Sequence, residues 1–358
     1  MAQNQTARKQ GTARVVKRIL VALCALIAAL TIVVFALWGG ELSTLKTLSR
    51  VEDDVNLFTM EYKADYALDE FLKTGASTDA ELVDFIVRQM LKGIPLNFDL
   101  PNLGCSTFAA QMADGTPIFG RNFDMYDSPA LFVTTRPKNG YASISMVNLA
   151  YIGYNSESLP TSLTKSIMTL AAPYAPLDGV NEKGLAVGVL QIKTTPTNQQ
   201  TDKVDITTTS AIRLLLDRAA TVEEAVDLLS QYDMHASAGS CYHFHIADAK
   251  GGSVIVEYID DEMSVVQGDA ATNFLLTPGE YDFGSGEDRY AVLRETLDAN
   301  GGVFESEEQA MELLKAVSQP VSEEKKSSTQ WSCVYNQQDA GVEIAMNMDY
   351  EKVYTFGL

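Results

Sequence analysis

An uncharged stretch near the amino terminus constrains this chain more than any other feature of its sequence. Residues 19–38 read ILVALCALIAALTIVVFALW and contain no charged side chain. In a helix that rises about 1.5 Å per residue, twenty residues span about 30 Å, the thickness of the hydrocarbon core of a bilayer. We therefore predict a transmembrane anchor over residues 19–39. A cleaved signal peptide is the alternative, but its apolar core is usually only about 7–15 residues long.

The charges around this stretch predict the orientation of the chain. Residues 1–18 contain Lys and Arg but no Asp or Glu, and Glu41 follows the apolar stretch. The positive-inside rule then makes residues 1–18 a cytoplasmic basic tail of a single-pass membrane protein, with the rest extracytoplasmic. The whole chain has a net charge of -20. That sign repels phosphate backbones, so we expect no nucleic-acid partner.

The chain after the anchor changes character at residue 104. Over residues 42–62 the apolar side chains keep helical spacing, and Thr78 and Glu81 form a capping box that opens another helix. We therefore predict a helical prosegment over residues 40–104. Beyond it, short apolar runs such as TPIFGRNF, LAVGVLQI and WSCVYN alternate with turn residues and with two pairs of helical segments. This pattern predicts an α+β domain over residues 105–358, with layers in the order α/β/β/α.

The first predicted hairpin of this domain places a carboxylate beside a cysteine. Asp114 and Gly115 favour a two-residue loop. With that loop, Cys105 is directly opposite Asp124, with the Cβ atoms about 5 Å apart. Strict alternation puts Arg121 on the other face of the hairpin. An ordinary hairpin with a buried structural cysteine is the alternative explanation.

A resemblance to a known family favours a catalytic cysteine. The stretch GCSTFAAQMADGTPIFGRNFDM, residues 104–125, resembles the start of the mature chain in the choloylglycine hydrolase family. These linear-amide C–N hydrolases are N-terminal-nucleophile hydrolases and include bile-salt hydrolases and penicillin V acylases; acid ceramidase and N-acylethanolamine acid amidase are more distant members. Four further segments of residues 105–358 are similar to the family: LDGVNEKGLAVG, Thr272-Asn273, Asp288-Arg289-Tyr290 and WSCVYN.

The resemblance implies a four-layer α/β/β/α N-terminal-nucleophile fold and a chain that cuts itself. Cys105 would attack the carbonyl of Gly104, and hydrolysis would free the α-amine of Cys105. That amine has a pKa of about 7.7–8.0 in model peptides, which suits a general base attached to its own nucleophile. Arg121 as a cation would lower the pKa of the thiol.

The other site residues are also assigned by the resemblance. Asp124 would orient the amine, Asn273 would donate its amide N–H to the tetrahedral oxyanion, and Arg289 would organise the site electrostatically. Gln191 falls where bile-salt hydrolases have an oxyanion asparagine; it is a weaker candidate because its side chain is one methylene longer and a structural role is equally open. The reaction requires no cofactor.

Other cysteine and histidine chemistry is less favoured by the sequence. Cys241, His243 and His245 alternate along one strand face, but three such positions span about 13 Å, too far for one ion. We therefore predict no metal site. A disulfide between Cys241 and Cys333 stays open because the strand registers are unknown.

The predicted function is hydrolysis of a linear, non-peptide amide bond in a small-molecule N-acyl substrate. An acyltransferase that uses the same acyl thioester is an alternative, as is an unprocessed, non-catalytic binding protein of the same fold. The prosegment is a further expected partner, since it can stay bound after cutting. The sequence does not identify the amide among bile salts, penicillin V, N-acylethanolamines, ceramides and acyl amino acids.

Overall fold

The computed structural model describes residues 2–98, 104–321 and 326–358; within the first helix, the side chains of residues 2–16 and 30–36 lie outside the description. That helix, α1, covers Ala2–Leu45 and contains the predicted anchor. In the part of the chain that the structure describes, no helix combines the length and the hydropathy needed to cross a membrane. The anchor over residues 19–39 is therefore not confirmed and stays a prediction.

Two sheets form the centre of the molecule. The first has nine strands, in the spatial order β1 (Ser49–Arg50), β2 (Leu57–Tyr62), β5 (Ala130–Thr135), β6 (Ser143–Asn148), β7 (Pro176–Asn181), β8 (Ala186–Ile192), β11 (Cys241–Ala247), β12 (Ser253–Ile259) and β13 (Glu262–Gln267). The second has seven, in the order β14 (Ala270–Ala271), β3 (Gly104–Met112), β4 (Pro117–Met125), β16 (Ser328–Asn336), β17 (Gly341–Met346) and β18 (Val353–Gly357), with β15 (Val303–Phe304) also paired to β3. A separate parallel pair joins β9 (Val204–Thr207) to β10 (Tyr232–His235).

Helices cover the outer faces of both sheets. On the nine-stranded sheet, α4 (Thr208–Arg218) packs against β7 and β8, and α5 (Val222–Leu229) packs against β11 and β12. On the seven-stranded sheet, α6 (Glu287–Asn300) and α7 (Glu307–Ala316) pack against β3, β4 and β16. Between the sheets, Phe119 and Trp331 share one buried cluster with Val189 and Phe244. The α+β prediction is confirmed, and the layers follow the order helix, sheet, sheet, helix. Short 3₁₀ helices lie at Leu149–Ile152, Ile167–Tyr174 and Ser237–Gly239.

The prosegment is only partly helical, so the prediction of an all-helical segment is wrong over residues 49–62. It contains α2 (Leu68–Thr74) and α3 (Asp79–Gln89), but also β1 and β2. Strand β2 pairs in parallel with β5 and is buried along most of its length. A strand covered on both faces has no clean polar alternation, so a short apolar run such as LFTMEY fits a helix or a strand equally well. Residues 99–103 of the predicted prosegment lie outside the described residues.

The β3–β4 hairpin has a different turn from the predicted one. Met112 pairs with Thr116 around a three-residue loop, with its N–H donating to the Thr116 carbonyl (2.7 Å). Gly115 has a φ of +89°, in the left-handed region that such loops require. The extra loop residue shifts the register by one along the whole hairpin.

The shifted register exchanges the faces of the predicted site. Cys105 is opposite Phe123, and Gly104 is opposite Asp124, so the predicted pairing of Cys105 with Asp124 is wrong. Because one residue of slip moves every side chain to the other face, Arg121 lies on the Cys105 face and Asp124 lies on the Gly104 face. This reverses the predicted arrangement of the two charged side chains around the cysteine.

Candidate active site

The Cys105 thiol is enclosed between the two sheets. Its side chain is fully buried, and it lies in the same core cluster as Phe123. Burial raises the pKa of the Cys105 thiol, while the positive charge of Arg121 offsets part of this rise. The predicted lowering by Arg121 is therefore present, but desolvation outweighs it in the uncut chain.

Arg121 is fixed beside the thiol by a buried carboxylate that the sequence analysis missed. Its Nε lies 3.4 Å from Asp178 Oδ2, and both side chains are fully buried. Asp178 also accepts hydrogen bonds from Trp331 Nε1 (3.3 Å) and the Tyr335 hydroxyl. Neither Nη1 nor Nη2 of Arg121 has a hydrogen-bond partner among the described residues. The ion pair thus fixes Arg121 through Nε and leaves the two terminal nitrogens for the reacting groups.

Asp124 lies against the peptide bond that precedes Cys105. A Cβ added at Gly104 would lie 3.0 Å from Asp124 Oδ2 and 3.0 Å from Gln319 Nε2, closer than a side chain normally packs. Glycine therefore lets the backbone approach this carboxylate. Gln319 Nε2 donates to Asp124 Oδ2 (2.5 Å), and the Thr329 hydroxyl donates to Oδ1 (2.6 Å). These two donors were also missed, because no local motif marks them.

Asn273 contacts the backbone nitrogen of Cys105. Its Oδ1 accepts from the Cys105 N–H (2.8 Å), and its Nδ2 donates to the carbonyl of Gln191 (2.8 Å). The preceding Thr272 carbonyl accepts from His243 Nε2 (2.7 Å), which fixes the backbone that presents Asn273. In the uncut chain, Asn273 is thus an acceptor at the nitrogen that cutting would free.

Arg289 reaches the same point from α6. Its Nη1 donates to the Cys105 carbonyl and to the Ser106 hydroxyl (2.7 Å). Its Nη2 donates to Asn273 Oδ1 (3.0 Å), and Asp124 lies 3.8 Å from Nη1. Arg289 therefore contacts both Asn273 and Asp124, the predicted polar residues on either side of the scissile peptide.

Gln191, the weaker candidate, lies at the edge of this group. Its side-chain Nε2 donates to the Ser240 hydroxyl (2.7 Å), and its backbone carbonyl accepts from Asn273. The side-chain amide is already hydrogen-bonded in this state, so a role at the oxyanion stays a prediction.

The remaining cysteines and histidines have structural contacts. Cys241 and Cys333 are both free thiols, so the disulfide left open by the sequence is not formed. His243 contacts Glu257 and Thr272, and each ring nitrogen of His245 contacts a hydroxyl, on Thr107 (2.8 Å) or Ser253 (2.9 Å). Burial lowers the pKa of His245 to about 3, which keeps the ring neutral.

Comparison with known proteins finds a family that part of this chain resembles. Residues 105–279 match the family model described as linear amide C-N hydrolases, choloylglycine hydrolase family. Over these residues the chain is similar to the choloylglycine hydrolase family.

A curated relative and two solved structures extend the similarity. A penicillin V acylase from Pectobacterium atrosepticum is 34% identical over 102 residues, which is 25% of this chain and only 26% of that relative. A mutant conjugated bile acid hydrolase from Clostridium perfringens has a TM-score of 0.52 and 16% identity, covering 71% of this chain and 92% of that chain. A penicillin V acylase from Agrobacterium tumefaciens has a TM-score of 0.50 and 18% identity, covering 71% and 86%. At these identities the two structures show a shared fold.

A polar cavity of about 200 Å³ borders the site. Gly104, Asn273 and Arg289 line it, whereas Cys105 does not. In the uncut chain, Gly104 therefore separates the thiol from the cavity. A small molecule in the cavity would meet the scissile peptide before it met the sulfur.

Proposed function

We propose that this chain hydrolyses linear N-acyl amides through an acyl thioester on Cys105, after cutting its own backbone between Gly104 and Cys105. The convergence of distant polar side chains on that one peptide group supports the proposal. Asn273 contacts its nitrogen, Asp124 lies against the glycine, and Arg289 binds the next carbonyl. The family match over residues 105–279 supports amide chemistry at the same place.

The cutting step follows from these contacts. The Cys105 sulfur attacks the Gly104 carbonyl carbon, and the thiol proton passes to the peptide nitrogen as the C–N bond breaks. Water then hydrolyses the Gly104 thioester, which leaves a glycine carboxylate, a free thiol and a free α-amine. Asn273 Oδ1 already accepts from this nitrogen, so the same hydrogen bond can hold the new amine. No cofactor takes part in this sequence of steps.

Turnover uses the freed amine as the base. The amine takes the thiol proton, the sulfur attacks the substrate carbonyl, and the resulting ammonium protonates the departing nitrogen. The acyl thioester is then hydrolysed by water, with the amine again as the proton acceptor. The Asp124 carboxylate orients the amine, and Arg121 stabilises the thiolate that burial disfavours. Asn273 stabilises the oxyanion, and Gln191 is the weaker candidate for a second donor.

The proposal is tested by following amine release together with cutting. The purified chain is incubated with amides that vary in acyl group and in amine, and free amine is measured while the fraction of molecules cut at residue 104 is determined by mass spectrometry. We expect activity to rise in proportion to the cut fraction. A fully cut chain that releases amine from none of the amides would contradict the assignment as a hydrolase.

We also propose that the prosegment stays bound after cutting and that residues 19–39 anchor the enzyme in a membrane. Strand β2 is part of the nine-stranded sheet, and Phe71 and Leu82 are fully buried in the shared core. Burial of each such side chain is worth about 1.5–3 kcal/mol, so release would be costly. Ile19 and Leu26 of α1 lie exposed, which fits a lipid environment.

Fractionation of membranes tests both parts of this proposal. After cutting, we expect the fragment that begins at Cys105 to sediment with membranes through a high-salt wash, together with the amino-terminal fragment. Release of the Cys105 fragment alone would contradict retention by the prosegment. Recovery of both fragments in the soluble fraction would contradict the anchor.

A further inference from the structure

The prosegment contacts a turn of the 105–358 domain that lies beside the site. Asp79, the first residue of α3, accepts a hydrogen bond at Oδ2 from the backbone N–H of Ala238 (2.7 Å). Ala238 lies in residues 237–240, the 237–240 turn, which immediately precedes β11. Because the proposed cut falls between Gly104 and Cys105, the two partners of this hydrogen bond would belong to different fragments.

The backbone of the 237–240 turn has an unfavourable conformation at the residue that Asp79 binds. Ala238 and Gly239 both lie in the left-handed region, with φ of +55° and +60°. Glycine tolerates this region, whereas alanine adopts it rarely because its Cβ approaches the following carbonyl oxygen. Such a residue keeps its conformation only when surrounding contacts stabilise it. The hydrogen bond from the Ala238 N–H to Asp79 is one of these contacts.

The same turn holds the side chain of Gln191. The hydroxyl of Ser240 accepts a hydrogen bond from Gln191 Nε2 (2.7 Å), and the Ser240 N–H donates to the Ser237 carbonyl (3.3 Å). A side-chain amide nitrogen carries two N–H groups, so the bond to Ser240 also fixes the direction of the second N–H. Gln191 lines the polar cavity beside Asn273. The position of the turn therefore determines where this candidate oxyanion donor points.

Tyr242 provides a second connection between Asp79 and Gln191. It is buried, and it lies directly opposite Gln191 where β11 pairs with β8. Burial raises the pKa of the Tyr242 hydroxyl, the negative charge of Asp79 raises it further, and a hydrogen bond with the Gln191 side chain lowers it. The Asp79 carboxylate is thus close enough to act electrostatically on a direct neighbour of Gln191.

Stabilisation of α3 does not account for the placement of Asp79. An acidic residue in the first turn of a helix interacts favourably with the helix dipole even when it is exposed. The Oδ1 atom of Asp79 is instead buried, and it has no hydrogen-bond partner among the residues that the structure describes. Removing a carboxylate oxygen from water without a partner costs free energy. The carboxylate therefore lies where the contact with the 237–240 turn requires it.

We propose that Asp79 is a positioning residue for amide hydrolysis. It holds the 237–240 turn in its left-handed conformation, and the turn directs the Gln191 amide toward the oxyanion. The prosegment then contributes to the working site after cutting, in addition to its place in the shared core. This inference rests on the proposed amide hydrolysis at Cys105 and adds a residue of the other fragment to that site.

The test measures kcat and KM, per molecule cut at residue 104, for the amide that the wild-type chain hydrolyses fastest. In Asp79→Ala we expect kcat to fall about tenfold with KM unchanged, as for loss of one charge-assisted hydrogen bond that matters only in the transition state. In Gln191→Ala we expect at least the same fall. Adding Asp79→Ala to Gln191→Ala should change kcat little further, because both substitutions affect the same donor.

Two more variants separate positioning from stability of α3. Asp84→Ala is the matched control, because it removes an exposed carboxylate from the same helix, and it should leave kcat unchanged. Asp79→Glu keeps the negative charge at the start of α3 but places the carboxylate one methylene farther out. It should fold even if Asp79→Ala does not, and it should also lower kcat. A wild-type kcat in Asp79→Glu would assign the residue to the stability of α3 and overturn the proposal.

The remaining outcomes separate this inference from the proposed function. The role of Asp79 is overturned, while amide hydrolysis stands, if Gln191→Ala keeps the wild-type kcat. It is also overturned if Asp79→Ala lowers kcat by the same factor with and without Gln191. If the wild-type chain is cut but hydrolyses none of the amides, the proposed function is overturned, and the inference with it.

Discussion

Replacement of Cys105 with alanine should leave the chain uncut at residue 104 and unable to hydrolyse any amide. The sulfur is the protein group that attacks the carbonyl carbon in both the cutting step and turnover, and water acts only on the thioesters that it forms, so its removal stops both reactions. The side chain is fully buried, and alanine fills most of its volume without introducing a polar group. The variant should therefore fold, which circular dichroism and a thermal melt would verify.

Two further variants make the Cys105 result specific. Cys241→Ala removes another buried free thiol that lies outside the site, and it should cut and hydrolyse as the wild type does. Cys105→Ser retains a weaker nucleophile and should cut slowly. Normal cutting or turnover in Cys105→Ala would rule out this residue as the nucleophile.

Replacement of Asn273 with alanine should lower kcat/KM for amide hydrolysis about 10²–10³-fold, equivalent to about 2.7–4 kcal/mol of barrier, as for loss of an oxyanion donor. The substitution also removes the acceptor for the Cys105 N–H and the donor to the Gln191 carbonyl. Cutting should therefore slow as well, because the scissile nitrogen loses its only side-chain acceptor among the described residues.

The Asn273→Asp variant separates the two roles of this side chain. Aspartate keeps an oxygen at the Cys105 nitrogen but loses the amide N–H. We expect it to cut faster than Asn273→Ala while hydrolysis stays low; cutting is followed by mass spectrometry, and hydrolysis by amine release. Wild-type hydrolysis in Asn273→Asp would contradict the oxyanion role.

The sequence predicted the members of the site better than their arrangement. Cys105, Asn273 and Arg289 are far apart in the chain, and the family resemblance identified them. They meet because β14 pairs with β3 and because α6 packs beside that pair. Local sequence patterns specify such long-range pairings poorly. The family resemblance, and not the periodicity of apolar residues, therefore identified these residues as parts of one site.

The errors in the prediction have local physical causes. One extra residue in the 112–116 turn exchanged the faces of Arg121 and Asp124, since alternation in a strand has a period of two. The run 57–62 fits helical spacing but is a buried parallel strand, in which polar alternation is absent.

The residues that the prediction missed are far in sequence from the site residues that they contact. Asp178 pairs with Arg121 across the two sheets. Asp124 is bound by Gln319, from the segment after α7, and by Thr329, from β16. Asp178 lies in the LDGVNEKG segment that was already noted, which is the one signal that pointed toward it. Gln319 and Thr329 belong to no motif, so only the folded structure reveals their contact with Asp124.

The most direct test of this account is to determine whether the bond between Gly104 and Cys105 is cut in the molecules that hydrolyse substrate. A cysteine-directed probe that mimics an N-acyl amide would label competent molecules, and their intact mass and amino-terminal residue would then be determined. We predict that the label resides on a fragment that begins with Cys105 and has a free α-amine. Labelled, catalytically competent molecules in which Gly104 is still joined to Cys105 would contradict it.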